Sequence, residues 1–301
     1  MAFSWSAIQS AESLEASRSI RFQPEWRPIL LGYFGLAPGM RVLEVGCGPG
    51  TLAPYLAEGL APGTVTGIDL DEDFIQRAEE KASRNGHHGV QYLVANAYEL
   101  PFSNHRFDAA VSYTGMGVLA DPRQAIREML RVTRPGGSIA VAEAVTGPTG
   151  ILFNGLDSLV CNEPYTGAAR YWELRERLFR RLAQGGRSSG VGNPDWPPSA
   201  LWGLMAQEGV IELRIHAWGY VTSDDDARLQ DRTERLRQRF QAEQQWLDTL
   251  RIDPSWEHSL RVAEWKELDA LLERRRGWLE FHHTFDWEAG LSIVMAGRKP
   301  I

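Results

Sequence analysis

Residues 42–51 read Val42-Leu43-Glu44-Val45-Gly46-Cys47-Gly48-Pro49-Gly50-Thr51. A short apolar run broken by one acid ends in three glycines at alternate positions. This is the pattern of a buried strand that stops in a turn where backbone must approach something closely. Glycine suits that place because it lacks Cβ and adopts positive φ at little cost. Residues through Leu60 then read as a helix. A ligand in the turn would meet backbone N–H groups at a helix N-terminus.

Outward from this stretch, strands and helices alternate. Strand Arg41–Val45 is followed by helix Thr51–Leu60, strand Thr64–Asp69, helix Asp73–Asn85 and strand Val90–Ala95. Strand Asp108–Ser112, helix Arg123–Thr133 and strand Ser138–Ala144 continue the rhythm. Apolar strands separated by helices predict a parallel sheet covered on both faces. Ligands of such sheets bind beyond the carboxyl ends of the strands, at the switch point beside the first one. Upstream, residues 4–20 read as a short helix, and Trp26, Ile29, Leu30, Tyr33 and Phe34 recur at helical spacing.

The glycine pattern separates two chemistries. A nicotinamide or flavin dinucleotide fold wants Gly-x-Gly-x-x-Gly, and its third glycine would fall on Thr51. Further on, Gly67-Ile68-Asp69-Leu70-Asp71 places a carboxylate at a strand end about 20 residues beyond the glycines, where it can accept both hydroxyls of a ribose. Asp71 is better placed to cap the following helix. Asn96-Ala97 follows the third strand, and Arg134-Pro135-Gly136-Gly137 turns the chain into the fifth.

VLEVGCGPGTL, GIDLDEDFI, ANAYELPFSNHRFDAAVS and MLRVTRPGGSIAVAEA together resemble successive motifs of the class I S-adenosylmethionine-dependent methyltransferases. The nearest branch includes the ubiquinone and menaquinone C-methyltransferases and many natural-product methyltransferases. The resemblance covers about residues 40–145, with weaker matches at Leu204–Val210 and the last strand. It implies an α/β fold: a Rossmann-like, seven-stranded, mostly parallel sheet with helices on both faces. It implies S-adenosylmethionine as cofactor; separately, the number and spacing of the cysteines suggest no metal site. Gly46, Cys47, Gly48 and Gly50 would floor the methionine part, with Glu44 at the rim. Asp69 would bind the ribose hydroxyls and Leu70 would pack on adenine. Asn96 stands where this branch commonly has Asp and keeps an acceptor for the adenine amino group; Ala97 supplies a backbone N–H. Ser112 and Tyr113 would lie beside the sulfonium. Arg21 and Arg27 are candidates for the cofactor's carboxylate.

Methyl transfer from a sulfonium needs alignment and exclusion of water. It needs a general base only if the nucleophile must lose a proton. Candidates for that base are Glu143, at the end of strand five, and His282 and His283, before the last strand. Met116 and Tyr165 are expected on the substrate side, and His216, alternating within a strand, is expected to be structural.

The second half is built differently. Of 11 tryptophans, only Trp5 and Trp26 precede residue 150. About 70 residues separate Tyr220 from Leu291, where the family has a close strand pair. The expected organisation is a cofactor-binding core with N-terminal helices at 1–145, a cap insertion at 146–198, core again at 199–221, a helical cap insertion at 222–286 and the final strand at 287–301. An aromatic-lined cap suits a small apolar or aromatic substrate.

A net charge of −7 argues against nucleic acid, whose binding rests on phosphate neutralisation. No apolar stretch reaches the roughly 18–20 residues of a membrane span, and Met1–Ser10 lacks the form of a signal peptide. Two cysteines fit a reducing cytoplasm. The charged helices leave a homodimer open. Competing readings are a methyltransferase for protein or RNA, and a non-catalytic binding module that keeps the cofactor fold.

Overall fold

The computed structural model describes residues 21–144, 151–154, 198–223, 232–252, 260–281 and 287–301, together with 11, 14, 15, 18, 167, 169–171, 173–175, 177 and 178. Helix α1 (Arg27–Phe34) leads into strand β1 (Arg41–Val45), then α2 (Leu52–Leu60), β2 (Thr64–Asp69), α3 (Glu72–Asn85), β3 (Val90–Val94) and β4 (Phe107–Tyr113). Helix α4 (Pro122–Val132) and β5 (Thr133–Ala144) follow. The rest comprises β6 (Ile151–Asn154), α5 (Pro198–Gln207), β7 (Ile211–Ser223), α6 (Arg232–Ile252), α7 (Val262–Phe281) and β8 (Trp287–Arg298).

The strands lie in the order β3-β2-β1-β4-β5-β8, and β7 and β6 also pair with β8. Strands β1 to β5 are parallel, and β8 runs antiparallel to β5. The seven-stranded, mostly parallel sheet is as expected; among the described residues a short further strand, β6, joins its β8 edge, pairing Ile151 with Gly290 and Asn154 with Glu288. Four residues are too few to carry a readable period of two.

Alternation along β1 explains why both faces are covered. Val42 joins Leu30, Phe34, Leu56 and Leu60 of α1 and α2 in one core. Leu43 and Val45 point the other way, into a core with Ile126 and Met129 of α4 and Leu201 and Met205 of α5. Successive strand side chains face opposite sides, so an all-apolar strand must be buried twice. The helix ends are set locally. Asp71, as expected, caps α3 by accepting from Asp73 N at 3.1 Å and Phe74 N at 3.3 Å. Asp121 caps α4 by accepting from Gln124 N at 3.1 Å.

The chain divides into two compact units. One comprises residues 1–145, 190–218 and 292–301; the other comprises 146–189 and 219–291. The second is helical around one apolar cluster. Phe240, Leu247 and Leu250 of α6 meet Trp265, Leu268 and Leu271 of α7, with Tyr171, Leu174 and Leu178. Leu260 and Leu272 also fall in this cluster. No helix among the described residues is long and apolar enough to cross a membrane.

Candidate active site

The turn after β1 is left-handed at all three of its alternate glycines, with φ of 74° at Gly46, 53° at Gly48 and 71° at Gly50. Two of these have a further reason to lack Cβ. On Gly50, a Cβ would stand 2.5 Å from the Tyr92 hydroxyl and 2.7 Å from Ala78 Cβ. On Gly48 it would stand 2.9 Å from Arg18 Nη1. Ile68 O accepts from both Gly46 N and Cys47 N at 2.9 Å, which ties the turn to β2.

Asp69 completes that tie. Its Oδ2 accepts from Gly48 N at 2.8 Å and its Oδ1 accepts from Asp71 N at 3.0 Å. Burial pushes its pKa up, against the pull of these two N–H groups. Each oxygen has lone pairs beyond the one used. At the neighbouring strand end, Ala95 N donates to Asp69 O at 2.9 Å. Asn96 is exposed there, and its Oδ1 accepts from Tyr98 N at 2.9 Å. Ala97 is half-buried beside it. Leu70 is 62% exposed, an open apolar surface at the end of β2.

Glu44 shares a face of β1 with Val42 and is buried toward the start of α2. Burial raises its carboxyl to about 8, while Arg18 and an N–H from Ala53 pull the other way. Its Oε2 has no hydrogen-bond partner among the described residues. Cys47 is buried, and that burial pushes its thiol up, so it is a poor nucleophile.

On the β4 side, Ser112 is fully buried and its hydroxyl also has no partner among the described residues. Tyr113 is buried, and its hydroxyl lies 3.0 Å from Ser292 Oγ on β8. Its ring meets Phe22 edge-on at 5.1 Å. Thr114 has φ 55°, a strained state for a β-branched residue and one that concentrates at functional sites. Gly115 Cα lies 3.6 Å from where a Cβ on Gly46 would stand, so the two turns abut. Glu143 Oε1 accepts from Gly117 N at 3.0 Å. Burial raises Glu143 to about 7, opposed by N–H groups of Gly117, Met116 and Gly115 and by Arg18.

The structure thus gathers Glu44, Gly46, Cys47, Gly48, Gly50, Asp69, Ser112 and Glu143 at the carboxyl ends of β1, β2, β4 and β5. Met116, expected on the substrate side, is fully buried in the core against α4 and α5. Arg27 pairs with Glu58 and lies 4.8 Å over the Tyr55 ring. His216 stacks on Tyr33 at 4.2 Å, a packing role. Tyr165, His282 and His283 lie outside the described residues.

Sequence reasoning passed over Arg18, Thr114 and Tyr92. Arg18 stood one helical turn from the arginine chosen instead. Tyr92 had a signal in Gly67, because a glycine inside a strand marks close approach; the Tyr92 ring lies 2.8 Å from where a Gly67 Cβ would stand. The charge pattern is three carboxylates and one guanidinium around a glycine cradle. It suits a ligand with a diol, a cationic centre and an anionic end.

Comparisons with known proteins agree with this geometry. Residues 43–141 match the family described as a methyltransferase domain. The demethylmenaquinone methyltransferase of Listeria monocytogenes is 33% identical over 132 residues, 44% of this chain and 56% of that protein. An uncharacterized protein of Mycobacterium tuberculosis is 32% identical over 179 residues, 60% of this chain and 54% of that one. The chain thus spans about half the length of the curated relatives it matches. The solved phosphoethanolamine N-methyltransferase 2 of Haemonchus contortus, in complex with S-adenosyl-L-methionine, superposes with a TM-score of 0.53 at 16% identity. That alignment covers 97% of this chain and 58% of the other. The core has the fold of a class I methyltransferase, the class whose methyl donor is S-adenosylmethionine.

Proposed function

We propose that this chain transfers a methyl group from S-adenosylmethionine to a small apolar or aromatic molecule. The observation that carries the proposal is the coupling of the glycine turn to Asp69. One carboxylate holds Gly48 N–H and keeps lone pairs for a ribose diol. The buried orphan oxygens of Glu44 and Ser112 fit the same donor, whose cationic arm they would face. When bound, the donor supplies a methyl carbon already activated toward in-line displacement.

The residues of the chain then have simple tasks. Asp69 orients the ribose, and Leu70, Asn96 and Ala97 receive the adenine. Glu44, held protonated by burial in the ligand-free chain, ionises against a bound cation and offsets its charge. Glu143 holds the Gly115–Gly117 turn against the end of β5 and acts as a positioning residue. Removal of water and alignment of the acceptor do the rest. An apolar or aromatic acceptor is supported by the tryptophans beyond residue 150 and by the likeness to a demethylmenaquinone methyltransferase. The acidic balance disfavours an RNA acceptor.

Calorimetric titration with S-adenosylmethionine tests the donor. Micromolar binding is expected, with Asp69→Ala weakening it by about 10-fold to 100-fold. No binding by the unaltered chain sinks the proposal. Labelled methyl appearing in small-molecule extracts, and not in protein or RNA, supports the acceptor class; the reverse distribution overturns it.

A further inference from the structure

One row of residues crosses the first three strands of the sheet. Glu44 of β1 stands opposite Gly67 of β2, and Gly67 stands opposite Tyr92 of β3. Residues opposite one another in neighbouring strands share a face. This face also carries Val42, Val65 and Val90 into the core with α1 and α2. The central place in the row has no side chain. Gly67 is not in the left-handed region, so glycine is needed there for space and not for conformation.

The Tyr92 ring takes that space. Its Cδ1 and Cε1 lie 2.8 and 2.9 Å from where a Gly67 Cβ would stand, and Cys47 Cβ lies 3.1 Å from the same point. From β3, the outermost strand, the ring therefore leans over β2 toward the turn. Its hydroxyl ends 2.5 Å from the place of a Cβ on Gly50, and Ala78 Cβ of α3 lies 2.7 Å from that place. Two glycines and an alanine thus form a slot that admits one aromatic ring and ends it against the glycine turn. Glu44, at the other end of the row, meets the start of α2 through an N–H of Ala53.

The Tyr92 hydroxyl is buried and has no hydrogen-bond partner among the described residues. Burial, then Glu44 and Cys47, push its pKa up, so the tip is a neutral phenol. An unbonded buried hydroxyl costs stability that a phenylalanine would not. What the hydroxyl supplies is length: it is the atom nearest the open side of Gly50.

We propose that Tyr92 is a positioning residue for the methyl donor: its ring, folded across Gly67, props Gly50 and fixes the height of the glycine turn under the donor. The proposal rests on the methyltransferase reading above. Tyr92 touches no reacting atom and acts through Gly50 and Cys47. The alternative is that Tyr92 only fills the core. The two differ in whether donor affinity follows stability.

The test pairs calorimetric titration with S-adenosylmethionine and thermal melts. The chains compared are the unaltered one, Tyr92→Phe, Tyr92→Leu and Leu30→Ala, a truncation in the same apolar core on α1. Tyr92→Phe should melt at or above the temperature of the unaltered chain, yet bind the donor about 5-fold more weakly. Tyr92→Leu, which empties the slot, should weaken binding by about 30-fold. Leu30→Ala should lower the melting temperature and keep donor affinity within about twofold. Gly67→Ala alone drives a Cβ into the ring and should weaken binding; added to Tyr92→Leu, it refills the slot and should recover part of the loss. Donor affinity within about twofold of the unaltered chain in Tyr92→Phe overturns the proposal. So does an affinity loss that Leu30→Ala matches, or a Gly67→Ala effect of the same sign on both backgrounds. If Tyr92→Leu does not fold, Tyr92→Phe decides. A failure of the unaltered chain to bind S-adenosylmethionine overturns the methyltransferase reading instead.

Discussion

The two units solve the problem of burial in different ways. In the sheet unit, charge is buried where a ligand would meet it. Glu44, Asp69 and Glu143 cluster at the strand ends, while the two faces of the sheet are apolar. In the helical unit, charge is buried inside the packing itself. Glu243 accepts from Arg175 Nε at 2.6 Å and from the Tyr171 hydroxyl. Arg275, 1% exposed, lies 5.5 Å from the Tyr171 ring and 5.7 Å from the Phe240 ring. Glu264 gathers Arg177 at 2.7 Å, Arg261 at 3.1 Å and Arg170 at 3.6 Å, which hold its carboxyl well below the usual range. Among the described residues, Glu44 keeps an oxygen without a hydrogen-bond partner, whereas Glu264 is matched by arginines inside the helical unit.

The sharpest way to break this contrast is to unbalance the helical unit. Glu243→Ala leaves Arg175 without its carboxylate and should cost about 3 kcal/mol of stability in urea titration, with donor affinity unchanged by calorimetry. A second test acts on the turn. Gly50→Ala puts a Cβ into both a left-handed backbone and the Tyr92 hydroxyl. It should cost about 1–3 kcal/mol and abolish measurable donor binding. If affinity survives, the turn is not the donor's floor.

Acidity supplies a third test. Burial raises Glu44 to about 8 and Glu143 to about 7, from 4.5. The folded chain therefore holds protons that the unfolded chain has released between about pH 4.5 and 8. Stability of the ligand-free protein should fall as pH rises through that window, by up to about 1.4 kcal/mol per pH unit for each group, and level off above it. Saturating S-adenosylmethionine should flatten the slope, and Glu44→Gln should remove part of it. Melting temperatures from pH 5 to 9 read both effects; a rising slope would contradict the assignment. The smallest effect is expected at the surface of the helical unit. Arg276→Ala removes an exposed pair with Glu280, 2.9 Å apart, and should leave the melting temperature within about 1 °C.

Much of the sheet unit was legible because its signals are local. Apolar strands, glycine punctuation and a capping aspartate act within a few positions of each other, so strands β1 to β5 and the cap at Asp71 follow from spacing. The site was legible where it lies on those strand ends, as with Gly48 and Asp69. It was obscure where a residue arrives from elsewhere. Arg18 comes 30 residues before Gly48 by number, and nothing in its own neighbourhood marks it apart from Arg21. Met116 shows what position after a strand does not tell: the short helical turn Met116–Val118 places it in the core with α4.

By itself, the sequence determined that a strand, a glycine turn and a ribose-type carboxylate recur at the spacing of a methyl-donor fold. Glycine and aspartate carry that information because their roles are set by backbone conformation and hydrogen bonds to nearby N–H groups. Only the tertiary structure decided which arginine reaches the turn, which acids keep an unpaired oxygen, and which polar groups of the helices are spent on one another. Those outcomes depend on which distant side chains compete for the same buried space, and no local pattern records that competition.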